Sequence, residues 1–122
     1  MKRVLIIDDE ETIQTVVQFG IQMAAGWEVL LASSGAEGLT KAQMEQPDAI
    51  LLDVMMPDMD GIATFKALQS DPATQHIPVI LLTAKAQTAE KRQFNDLGVS
   101  GVITKPFNSL DLPEQIVKIL HW

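Results

Sequence analysis

The chain contains no cysteine, which removes disulfides and thiolate metal sites from consideration. No apolar run approaches the ~20 residues that a membrane-spanning helix requires. The opening Met1-Lys2-Arg3 followed by Val4-Leu5-Ile6-Ile7 superficially suggests an export signal, but the apolar run stops at Asp8-Asp9-Glu10-Glu11. It reads as a first strand, and the cytoplasm is the expected compartment. Positive charge is scarce: 9 lysines and arginines against 16 acids leave a net charge of −7. That argues against nucleic-acid phosphate as a direct partner, since such affinity comes largely from Lys and Arg contacts. Linkers, repeats and low-complexity tracts are also missing, and 122 residues leave room for one domain, 1–122, and no second. The 47% hydrophobic and 20% charged composition is that of a soluble globular protein.

What is present is an alternation of strand and helix signals. Residues 4–7 read as a strand, and Ile13, Val16, Val17, Ile21 and Ala24 then recur at helical spacing, with Gly26 as the stop. Residues 27–32 make a second strand. Ser34 and Glu37, three apart, form a capping-box signature for a helix running to about Gln46, ended by Pro47. Ala49-Ile50-Leu51-Leu52-Asp53 is an apolar run typical of a strand buried on both faces. A short helix with Ile62, Phe65 and Leu68 on one side follows Gly61, and Asp71-Pro72 breaks it. Residues 79–82 form a fourth buried strand ending at Thr83. Residues 87–97 are helical by propensity but poor in core residues, 99–104 give a fifth strand, and Asn108, Ser109 and Asp111 offer caps for a last helix with Ile116, Val117 and Leu120 inward. Five strands alternating with five helices predict an α/β fold, a parallel sheet with helices on both faces.

Such a sheet gathers its strand ends along one edge, where ligands and chemistry sit in open α/β folds. The ends here carry Asp8 and Asp9, Asp53, Thr83 and Lys105. Two carboxylates ~4 Å apart repel by about 4 kcal/mol at an effective dielectric of ~20, and one lysine cannot balance three acids. A divalent cation completes the set, and oxygen-only ligands suit Mg²⁺, or Mn²⁺ in its place, rather than zinc. A metal beside an aspartate, a hydroxyl and a lysine suits phosphoryl chemistry: Lys105 offsets charge, Thr83 donates a hydrogen bond and Asp53 supplies the attacking oxygen. Taken singly, each residue has a plainer reading, as a cap, a turn residue or a solvated side chain. The weight lies in their joint placement.

These residues also carry a resemblance. Val4-Leu5-Ile6-Ile7-Asp8-Asp9-Glu10, Leu51-Leu52-Asp53-Val54-Met55-Met56-Pro57-Asp58-Met59-Asp60-Gly61, Leu82-Thr83-Ala84 and Lys105-Pro106-Phe107 together resemble the receiver domain of two-component response regulators, across the whole chain and in order. The resemblance implies a flavodoxin-like sheet of order 2-1-3-4-5. It implies a signalling domain rather than an enzyme, with Asp53 as phosphoacceptor from the phosphohistidine of a sensor kinase or a histidine phosphotransfer protein. Asp9, Asp53 and the backbone carbonyl of Met55 would ligate Mg²⁺, and Asp8 would act largely through water. Thr83 would swing toward the phosphoryl group, Lys105 would bridge to its oxygens, and the Lys105-Pro106 peptide would be cis. Where the family usually has an aromatic switch residue, this chain has Val102, so any switch through Val102 and Thr83 moves no large ring. The face made by 87–97, 99–104 and 109–120 is the one such domains commonly offer to a downstream protein, with Lys85, Lys91, Arg92 and Lys118 as candidates.

Other classes fit less well. A haloacid-dehalogenase-like phosphohydrolase needs a second acid two residues after its nucleophile, and that position is Met55. A flavodoxin-like nucleotide or flavin binder needs a glycine-rich loop after the first strand, where Asp8-Asp9 stands instead. A degenerate receiver used as a scaffold fits poorly with an intact Asp8, Asp9, Asp53, Thr83 and Lys105 set. His76 and His121 read as ordinary surface histidines.

Overall fold

The computed structural model describes residues 2–54, 60–83 and 96–122. Along the chain run β1 (Arg3–Ile7), α1 (Glu11–Ala25), β2 (Glu28–Ala32), α2 (Gly35–Glu45), β3 (Ala49–Asp53), α3 (Gly61–Ser70), β4 (Val79–Thr83), β5 (Gly101–Thr104), a 3-10 turn (Ser109–Asp111) and α4 (Leu112–Leu120). The five strands are parallel and ordered β2-β1-β3-β4-β5. That is the expected sheet. Four α-helices lie among the described residues, and the expected helix over 87–97 falls almost wholly outside them.

Successive side chains on a strand point to opposite faces, so β1, β3 and β4, apolar but for Arg3, Asp53 and Thr83, feed two separate cores. Leu5, Ile7, Ile50, Leu52, Val79 and Leu81 pack beneath Ala42 of α2 and Phe65 and Leu68 of α3. On the other face Val4, Ile6, Leu51, Ile80, Leu82 and Ile103 meet Val17 and Ile21 of α1 and Leu112 and Ile116 of α4. The helix ends follow the sequence signals. Ser34 Oγ accepts from the Glu37 backbone N–H at 3.1 Å, and Gly26, at φ 69°, donates its N–H to the Gln22 carbonyl. The Glu37 side chain pairs forward with Lys41 at 3.3 Å.

Several expected core positions shift. Val16 and Ala24 are exposed, and Gln14 and Gly20 are buried in their place on α1. The reason is the neighbour on that side. The 3-10 turn lies so close to α1 that a Cβ on Gly20 would sit 2.4 Å from the Ser109 carbonyl carbon. In α4, Leu112, Pro113 and Ile116 are buried while Val117 and Leu120 are only half-buried, because the helix meets the sheet with its first turns. β5 begins at Gly101 rather than Val99, since Gly98 turns the chain at φ 97° and pairing with β4 starts from Ile80 opposite Gly101. β2 begins at Glu28. Trp27 lies just before it and packs edge-on against Trp122, ring centres 5.4 Å apart, with the Lys2 ammonium 4.4 Å from the Trp122 ring.

Candidate functional site

The strand register sets the site. Ile7 lies opposite Leu52, Asp53 opposite Leu82, and Thr83 opposite Thr104, so β1, β3, β4 and β5 all end along one edge. Asp8 and Asp9 follow β1 directly, Asp53 closes β3, Thr83 closes β4 and Lys105 follows β5. Carboxylate oxygens of Asp8, Asp9 and Asp53 all lie within 4.8 Å of one another, with Asp8 and Asp53 buried and Asp9 exposed. The Lys105 ammonium reaches both buried acids, Asp53 Oδ1 at 3.3 Å and Asp8 Oδ2 at 3.4 Å. Thr83 is buried, and its carbonyl accepts the Lys105 backbone N–H at 2.7 Å. The Lys105-Pro106 peptide is cis, as expected.

The charges along this edge do not balance. Three carboxylates and one ammonium leave two net negative charges in a partly dehydrated cleft. Burial pulls the Lys105 ammonium toward neutrality, and Asp8 and Asp53 outweigh that, holding it above its ordinary range. This donor set, all carboxylate oxygen with one ligand open to water, fits a hard divalent cation. Met55, the expected backbone ligand, lies outside the described residues, as do Lys85, Lys91 and Arg92. Val102 sits on β5 opposite Leu81, half-buried against the core beside α2 and α3. His76 and His121 are exposed and belong to no cluster of potential metal ligands among the described residues.

α3 starts hard against the phosphoacceptor candidate. Asp60 Oδ1 accepts the Ala63 N–H at 2.7 Å as an N-cap, and the Gly61 N–H donates to the Val54 carbonyl at 2.9 Å. A Cβ on Gly61 would stand 2.3 Å from the Asp53 carbonyl oxygen and 2.7 Å from the Val54 Cα. Backbone cannot yield as a flexible side chain does. Gly61→Ala is therefore expected to cost about 1–3 kcal/mol or more of stability and to displace the end of β3. Urea unfolding checks this; a variant as stable as wild type would mean that α3 shifts freely.

Two features were not visible as site elements in the sequence. Gln14 is buried and its side-chain amide donates to the Asp8 carbonyl at 2.6 Å and to Ser33 Oγ at 3.1 Å. On the outer side of α1, Val16, Phe19 and Met23 are exposed by 44%, 59% and 66%, and Leu110 lies in the 3-10 turn that packs on α1, itself half exposed. A cavity of about 320 Å³ lined by Ile13, Val16, Lys105, Pro106 and Phe107 adjoins this apolar stripe.

A five-stranded, doubly wound parallel sheet with three acids, a threonine and a lysine along its carboxyl edge defines a phosphoacceptor type of signalling domain. The family model described as the response regulator receiver domain matches residues 4–117, and the chain belongs to that family. It is 39% identical, over 98% of its length, to the alkaline phosphatase synthesis transcriptional regulatory protein PhoP of Bacillus subtilis, and covers 49% of that protein. It is 40% identical, again over 98% of its length, to the DNA-binding dual master transcriptional regulator RpaA of Synechocystis, covering 48% of it. The chain thus spans about half the length of these curated relatives. Among solved structures, the chemotaxis protein CheY4 of Vibrio cholerae matches with a TM-score of 0.89 at 34% identity, with 98% of each chain covered. Membership across 4–117 also sets aside the phosphohydrolase reading.

Proposed function

We propose that Asp53 accepts a phosphoryl group from the phosphohistidine of a sensor kinase or histidine phosphotransfer protein, and that residues 1–122 act as one receiver domain in the cytoplasm. The observation that carries this reading is the placement of Asp53. It is nearly buried at the end of β3, within 4.8 Å of two further carboxylates and 3.3 Å from the Lys105 ammonium. In the transfer, an Asp53 carboxylate oxygen bonds to phosphorus as the P–N bond breaks, and the electron pair returns to the imidazole nitrogen. Asp8, Asp9, Asp53 and the Met55 carbonyl would hold Mg²⁺, or Mn²⁺, which when bound offsets charge on the phosphoryl oxygens. Lys105 exchanges part of its pairing with Asp53 for a phosphoryl oxygen, and the Thr83 hydroxyl donates to another.

Charge and apolar surface sort the partners. The exposed Val16, Phe19 and Met23 stripe with Leu110, beside a cavity that Lys105 itself lines, favours docking of the phosphodonor over α1, where the donor imidazole can reach Asp53. A downstream protein would read the phosphorylated state on the face of 87–97, 99–104 and 109–120, through a switch in which Thr83 and Val102 move. Moving such a domain from mostly off to mostly on takes about 5.5 kcal/mol of differential stabilisation, which new bonds from Thr83 and Lys105 to the phosphoryl group supply. Net charge of −7 speaks against direct nucleic-acid binding by these residues. Intact mass after incubation with acetyl phosphate tests the reading. A gain of one phosphoryl group with Mg²⁺ and none with chelator is expected; no gain under either condition, with phosphorylated kinase also failing as donor, would leave the scaffold reading.

A further inference from the structure

We infer that Gln14 is a positioning residue for the metal-binding carboxylates, acting through the Asp8–Asp9 peptide; the inference rests on the metal reading above. Gln14 is 5% exposed and shares the inward face of α1 with Val17 and Ile21. Burying an amide there is unfavourable unless its hydrogen bonds are made. Its Nε2 faces three acceptors: the Asp8 carbonyl at 2.6 Å, Ser33 Oγ at 3.1 Å and the Ala32 carbonyl at 3.4 Å. Two of these are carbonyls, which only accept, so the amide nitrogen must be the atom turned toward them. The Ala32 carbonyl already takes the Asp8 N–H at 3.0 Å. The two amide protons therefore serve Asp8 and Ser33, and one side chain ties α1 to the ends of β1 and β2.

That tie acts on the chemistry because of where Asp8 is held. Glu10 N–H fixes Asp8 Oδ1 at 2.9 Å and Lys105 approaches Oδ2, so the carboxylate is anchored at both oxygens. Its carbonyl is anchored by Gln14, which sets the plane of the peptide leading to Asp9. Asp9 is exposed, and its carboxylate stands within 4.8 Å of Asp53 on the far side of that peptide. The plainer reading, a satisfied core amide, predicts lost stability with metal affinity untouched.

Backbone amide shifts followed through a Mg²⁺ titration separate the two, since they report affinity and an intact fold together. Gln14→Met keeps the volume and removes both donors, and should raise the Mg²⁺ dissociation constant about tenfold, as loss of partners behind metal ligands commonly does. Ile21→Ala, on the same face of α1, should lose stability with its Mg²⁺ affinity unchanged. Gln14→Asn, one methylene too short to reach Asp8, should show the same tenfold weakening and serves if the methionine variant does not fold. Wild-type affinity in a folded Gln14 variant would overturn the inference and leave the metal site standing. A wild type that binds no Mg²⁺ would overturn both.

Discussion

Asp53→Asn protein incubated with acetyl phosphate and Mg²⁺ is expected to gain no phosphoryl mass, where wild type gains one group. The amide oxygen carries no formal charge and is a poor nucleophile, so the change removes the attacking group and one anionic metal ligand together. The physical control is stability. In the metal-free protein Asp53 is repelled by Asp8 and Asp9, whose carboxylate oxygens lie within 4.8 Å, and attracted by the Lys105 ammonium at 3.3 Å. A neutral amide at this position would lift two repulsions of up to about 4 kcal/mol each at an effective dielectric of ~20 and weaken one attraction of similar size, while Lys105 keeps Asp8. The variant should therefore melt no lower than wild type. Loss of phosphorylation with stability retained assigns the chemistry to Asp53; loss with a collapsed melting temperature would assign it only to the fold, and undiminished mass gain would place the phosphoryl group elsewhere.

The parts of this molecule that could be read from sequence are those in which local pattern and tertiary demand coincide. Residues 49–53 and 79–83 are apolar almost throughout because both faces of a central parallel strand are covered, and each is buried from end to end. Strand ends in such a sheet must share an edge, so three acids, a hydroxyl and a lysine at four ends were legible as one cluster. Helix periodicity is weaker evidence. It marks a stripe on α1 but not its edges, and Val16 lies on the solvent side while Gln14, three before Val17 and seven before Ile21, lies inside. A polar residue at a core-spaced position was the available signal for Gln14. Phe19 and Met23 were hidden for the opposite reason: an apolar residue outside the stripe has no place in a reading that sorts apolar inward. The Trp27–Trp122 contact joins residues 95 positions apart and leaves no trace in either neighbourhood.

Lys105→Met is the other change with a large expected effect. In wild type one ammonium serves two buried carboxylates, and removing it takes that positive charge away from a cluster of three acids. Breaking a buried ion pair from one side costs about 3–5 kcal/mol; about 3 is expected here, because Lys105 keeps 19% of its side chain in solvent. Against a typical domain stability of ~5–15 kcal/mol that is a large share. The pH dependence has a definite sign. Lys105 is held above its ordinary value of 10.5 in the folded protein, so its contribution is whole below that pH and is lost as pH rises through the raised value. Wild-type and variant stabilities should accordingly run parallel from neutral pH upward and converge only in strong alkali. Mg²⁺ should narrow the gap at neutral pH, because a divalent cation among the three acids replaces the missing charge and stabilises the variant more than it does wild type. By reciprocity the variant should bind Mg²⁺ more tightly than wild type, while responding less to phosphorylation for want of a partner to the phosphoryl oxygens. Urea unfolding of both proteins with and without Mg²⁺ decides the point: equal metal-free stabilities would mean that the three carboxylates are relieved by solvent and that Lys105 compensates nothing until the phosphoryl group arrives.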